Sequence, residues 1–116
     1  MRLLPALVLL VLVFPLAAPA QTQGEMNQQA FADFTAADKK MNVVYNNLMK
    51  ALPDDEAREK LKASQLAWLK YRDAEAALEA DNARGGTMAP LLFSETKAAL
   101  TTDRTAELKS VQSALN

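Results

Sequence analysis

The sequence contains neither cysteine nor histidine. Without cysteine no disulfide can staple the fold, and no lipid-modified cysteine can follow a leader, which excludes a lipoprotein anchor. With both residues missing, a zinc site would need carboxylates alone, an unusual donor set for that metal. No metal or cofactor is therefore expected. General acid–base catalysis loses its commonest group and is left with carboxylates, lysine and tyrosine. No spacing marks a two-carboxylate site. Glycine is scarce, with three in the chain. No glycine-rich phosphate loop follows a strand, and no serine sits at a nucleophile elbow. The chain is read as a non-enzyme. A basic patch is also missing: 13 Lys and Arg stand against 14 Asp and Glu. Nucleic-acid binding has no electrostatic footprint.

What is present begins with a leader. Arg2 is the only charge in residues 1–20, Leu3 to Leu16 is almost wholly apolar, and Ala18-Pro19-Ala20 supplies small residues where a signal peptidase reads. This pattern predicts a secretory signal over 1–20, cleaved after Ala20, and a periplasmic or secreted protein. The competing reading is an uncleaved anchor, but the apolar run falls short of the about 20 residues a span needs. Residues 21–116 then form one domain. Losing Arg2 makes it one unit more negative than the −1 of the whole chain. A domain of this size can bury an independent core with little surplus.

The domain reads as all-α. After a polar, frayed start at Gln21–Glu25, the residues Phe31, Phe34, Asp38, Met41, Tyr45, Leu48 and Leu52 recur at alternating steps of three and four. That is a heptad-type seam on one helix. Thr35 to Asp38 offers a capping box for a shorter helix, but the seam stays in phase through it. Pro53 breaks the helix. Asp54-Asp55-Glu56 suits the start of a second, where carboxylates meet the positive end of the dipole. The second helix is expected to reach Asn82, about 40 Å at 1.5 Å per residue. A link this short implies an antiparallel hairpin. Gly85-Gly86 ends it. A third helix starts near Met88 with Pro90 in its first turn. Its expected stripe is Phe93, Thr96, Leu100, Arg104, Leu108, Val111 and Leu115. Thr101-Thr102-Asp103 would instead cap a fourth helix, and 88–116 as one helix or two stays open. The architecture expected is a hairpin of two long helices with a third packed along it.

Each seam carries polar intruders: Asp38 in the first helix, Gln65 and Arg72 in the second, Arg104 in the third. In the second, Leu61, Gln65, Trp68 and Arg72 share a face, so the only tryptophan lies between an amide and a guanidinium. Buried alone, each charge costs several kcal/mol. The low-cost solution is that they meet. Asp38 pairs with Arg72 or Arg104, and Asp73 or Glu75 takes the other arginine. Arginine suits this because its planar fork binds carboxylate bidentately. Three readings remain open: a register-fixing network, a polar ligand pocket, or arginines that reach out to solvent. Asn42, one turn after Asp38, extends the network or faces water. Trp68 is read as core; Tyr45 and Tyr71 as half-buried with wet hydroxyls.

The domain resembles the LprI-type lysozyme inhibitor family. The resemblance rests on Met26-Asn27, Ala37-Asp38, Met41-Asn42, Tyr45, Lys62-Ala63-Ser64-Gln65, Trp68, Tyr71-Arg72-Asp73, Gly85-Gly86-Thr87, Leu100-Thr101, Arg104-Thr105 and Leu108, in order along the domain. Family members commonly carry cysteines where this chain has Gln29, Ala76 and Thr96. The resemblance implies export, a helical fold and a protein partner of the muramidase class. A different class of function, an envelope interaction module with no enzyme target, remains beside it. If the partner is a muramidase, an irregular segment should enter its cleft. Such clefts are lined by catalytic carboxylates. That favours the basic turn Arg84, Gly85, Gly86, Thr87 over the acidic turn at Pro53-Asp54-Asp55. The competing reading gives the glycines only the task of ending the second helix.

Overall fold

The computed structural model describes residues 11–15 and 20–115. The expected leader lies mostly outside the described residues. Three helices carry the domain: α1 (Gln23–Ala51), α2 (Asp55–Ala80), extended by a 3₁₀ turn over Asp81–Ala83, and α3 (Ala89–Ser113). Among the described residues no helix is long and apolar enough to cross a membrane.

The start of α1 is firmer than composition suggests. Thr22 caps it, its Oγ1 accepting from the Glu25 amide at 3.1 Å. Thr22-x-x-Glu25 is the sequence form of a capping box, and it places the helix start in what reads as a frayed stretch. Asp54 does the same for α2, accepting from the Ala57 amide at 2.8 Å. Proline lies in the first turn of α3, where its missing N–H removes a donor that has no helical partner anyway. α3 runs unbroken through Thr101-Thr102-Asp103, so these residues cap no fourth helix. Thr102 Oγ1 bonds back to the Ala98 carbonyl instead.

α1 and α3 run parallel and make the most extensive helix contact. Asn27 meets Thr87 at one end, and Leu48 packs with Leu108 toward the other. Close approach is allowed by small side chains: Ala30 on α1, Ser94 and Thr101 on α3, all buried. α2 runs antiparallel to both. It reaches α1 through long side chains, Arg72 to Asp38 and Gln65 to Met41, rather than through close backbones. The apolar core is Met41, Leu48 and Leu108, walled by Val44, Tyr45, Leu52, Leu61, Trp68 and Leu69.

The expected seams hold in the middle of the bundle and fail at its ends. Phe31 is 62% exposed, and the buried position in its place is Ala30, one residue earlier. A phenylalanine there would hold α1 and α3 apart. On α3, Val111 and Leu115 are exposed, and burial falls on Ser94, Thr101 and Leu108. The inward face is thus set by small residues as much as by large ones.

Candidate functional site

The polar intruders lie where the three helices face one another. The Arg72 side chain is 7% exposed. Its Nη1 donates to Asp38 Oδ1 at 3.0 Å and to Thr101 Oγ1 at 3.4 Å, and its Nε donates to Asp73 Oδ1 at 3.0 Å. The guanidinium also lies over two rings, 5.0 Å from the Phe34 centroid and 5.4 Å from that of Trp68. Asp38 takes a weaker bond from Asn42 Nδ2 at 3.5 Å. Of the two arginines open to Asp38, Arg72 holds it, and Asp73 joins the same guanidinium rather than serving Arg104.

Arg104 solves its charge separately. Its Nε donates to Gln65 Oε1, its Nη2 to Ser64 Oγ and its Nη1 to Glu107 Oε2, each at 3.1 Å. Its guanidinium carbon lies 5.8 Å from the Trp68 centroid. Trp68 thus has a guanidinium from α2 and another from α3 within cation–π range of its ring. Gln65, buried, uses its other end to donate to Met41 Sδ at 3.4 Å, a weak acceptor.

A third cation was not singled out by its spacing. Lys97 Nζ lies 4.2 Å from the Phe34 centroid, 5.0 Å from that of Phe93 and 3.5 Å from Asp73 Oδ1. The side chain is largely buried. Thr101, fully buried, is the other addition. Its signal in the sequence was faint, since a threonine beside Leu100 gives no cue that it and not the leucine turns inward. Among the described residues no buried side-chain nitrogen or oxygen lacks a partner. Every buried polar atom of the seam thus has its partner within the bundle. Among the described residues no group of three or more carboxylates is placed to hold a metal ion. An apolar recess of about 300 Å³ does open beside Arg104, between Leu52, Leu61 and Val111.

The Arg84–Thr87 turn is built differently. Arg84 and the two glycines after it are exposed. Gly85 takes φ +77°, the left-handed region that favours glycine. A side chain there would meet nothing within 4 Å, so the space around Gly85 is open. Asp81 grips Arg84 through Nε and Nη2, both at 2.7 Å. This hydrogen bond pushes the guanidinium pKa above its ordinary value. Nη1 has no partner among the described residues. Thr87 accepts from Asn27 Nδ2 through its carbonyl at 3.1 Å, which ties the turn to α1. The rival turn at Pro53 is closed by Arg58, which donates to the Leu52 carbonyl and to Asp55.

Comparison with known proteins gives a relative and a family. A family model described as "Lysozyme inhibitor LprI" matches residues 16–108. An uncharacterized protein of Rhizobium meliloti (strain 1021) is 39% identical over 104 residues, covering 79% of this chain and 75% of its own. No solved structure matches.

Proposed function

The chain belongs to the lysozyme inhibitor LprI family, and from that premise we propose that it is an exported protein that binds a muramidase. In this reading residues 1–20 are a cleaved leader and the working protein begins at Gln21. The polar seam of Asp38, Gln65, Arg72 and Arg104 is scaffold. It sets the register of three helices and so fixes where their ends lie. The contact is the Arg84, Gly85, Gly86, Thr87 turn. The observation that carries this choice is the turn's exposure. Its four residues are exposed, yet Asp81 and Asn27 tie it to the bundle. A preordered, projecting segment loses little entropy on entering a cleft. The free Nη1 of Arg84 supplies a donor for one of the carboxylates that line such clefts.

The test is a cell-wall lysis assay with a lysozyme, comparing wild type with the Arg84→Ala/Thr87→Ala variant at matched helicity. Wild type should slow lysis at micromolar concentration, and the variant should have lost most of that effect. A wild type that leaves lysis unchanged removes the inhibitor reading and leaves an envelope interaction module with another partner. N-terminal sequencing of the exported protein should begin at Gln21, and a chain still starting at Met1 would count against the leader.

A further inference from the structure

One face of the bundle has no helix over it. Along the α1–α3 contact lies an open groove of about 490 Å³ that no residue of α2 lines. Its α1 wall is Asp33, Ala36, Ala37 and Lys40, and Ala106 and Lys109 continue it on α3. Residues 33 and 40 are two turns apart, so they return to the same face about 10 Å along the axis. The two alanines fill the midpoint between the acid and the base.

This order is its own complement when run backwards. Lay a second α1 across the first, antiparallel and centred between Ala36 and Ala37. Asp33 of each copy then stands against Lys40 of the other, twice over. The alanines permit the close helix approach, near the low end of about 8–10 Å, that such a crossing needs. The charges are available for it. Asp33 takes one hydrogen bond from Gln29 Nε2 and stays exposed. Among the described residues neither Lys40 nor Lys109 has a carboxylate within ion-pair distance.

We propose that the groove receives a second copy of this chain in a two-fold, antiparallel pairing. A closed two-fold interface uses the same patch on both partners, so the patch must be self-complementary, and this one is. An acidic partner helix would satisfy the lysines and be repelled by Asp33; a basic one would meet the reverse. A second copy satisfies Asp33 and Lys40 at once, and only Lys109 is left without an acidic mate. The groove is narrow, and a contact smaller than the about 800 Å² per partner of a standard stable interface gives a weak, concentration-dependent dimer. Because Thr87 is tied to Asn27 near the start of α1, the antiparallel pairing puts the two Arg84–Thr87 turns at opposite ends, clear of the interface. The inference stands whether or not those turns bind a muramidase.

The experiment is sedimentation velocity on protein expressed from the full sequence, from about 1 μM to about 1 mM. Wild type should pass from monomer to dimer within that range. Asp33→Lys and Lys40→Asp, both at exposed positions, should each leave helicity unchanged and weaken self-association by about tenfold or more, since each sets like charges together. An equimolar mixture of these two variants should form a heterodimer, and the double variant should pair like wild type. A wild type that stays monomeric to about 1 mM overturns the proposal. So does association that the single variants leave intact, or that mixing fails to restore.

Discussion

Where Leu48, Leu61 and Leu108 meet, the three helices join through aliphatic side chains, and Leu48 and Leu108 are almost wholly removed from water. Beyond Met41, toward the N-terminal end of α1, the same helices join through cations. Arg72 lies over Phe34 and Trp68, Lys97 over Phe34 and Phe93, and Asp38 and Asp73 neutralise them from the side. The first region is non-directional and tolerant of register, because apolar burial scales with area. The second is directional: a guanidinium satisfied by Asp38, Asp73 and Thr101 allows one alignment of α1, α2 and α3. The contrast suggests a division in which the aliphatic end supplies more stability and the cationic end supplies uniqueness. Buried ionic groups are often near neutral in net stability.

Truncation should break the two ends unequally. Leu48→Ala removes a side chain that is wholly buried and should cost about 3 kcal/mol in urea melts, within the range for buried leucines. Arg72→Met should cost less, about 2 kcal/mol. Asp38 and Asp73 are 35% and 53% exposed in their side chains, so once unpaired they recover part of their hydration. A cost for Arg72→Met above that of Leu48→Ala would reverse the assignment and make the cationic end the main source of stability.

The aliphatic end was the easier half to read. Met41 and Leu48 sit seven residues apart in the first seam, Leu108 falls in the stripe of the third helix, and the breaks at Pro53 and Gly85-Gly86 announce the three helices. The polar intruders were legible as a set, because charges in an apolar stripe demand partners. Which partner each takes was not. Spacing along one helix says nothing of its height against another, so Asp38 to Arg72 and Arg104 to Gln65 required the packed structure. The closest helix pair was hidden for a related reason. α1 and α3 approach through Ala30, Ser94 and Thr101, and small residues carry little weight in a hydrophobic pattern. The same bias put Phe31 in the seam in place of Ala30. In the turn, the glycines mark the chain reversal, but the Asp81 clamp on Arg84 needs the 3₁₀ turn that precedes it.

The directional character of the cationic end is sharpened by a double-mutant cycle. Asp38→Asn and Arg72→Met should together cost less than the sum of the singles, with a coupling of about 1 kcal/mol. The 3.0 Å bond between them is lost only once. Chemical denaturation of the four proteins measures it. Strict additivity would mean that Asp73 and Thr101 carry Arg72 without Asp38, and that the α1–α2 register is fixed elsewhere. A matching cycle between Leu48 and Leu61 should report packing only, and its coupling should not change with salt.

Lys97 gives the smallest effect and the finest test of the comparison. Its ammonium touches two rings and one half-exposed carboxylate, while its stem is covered by the bundle. Lys97→Met keeps a stem of similar length, removes the charge and offers sulfur to the same rings. The cation–π contribution lost is about 0.5–1 kcal/mol, and sulfur–aromatic contact returns part of it. The ion pair with Asp73 adds little at this exposure. The net cost should be about 0.5 kcal/mol or less at low salt and should shrink as salt screens the pair. Thermal melts of wild type and variant at two ionic strengths give the answer. A neutral or stabilising result would mean that the rings need a long side chain over them and not a charge, which would extend the apolar end past Met41 and leave Arg72 and Arg104 as the cations the register depends on.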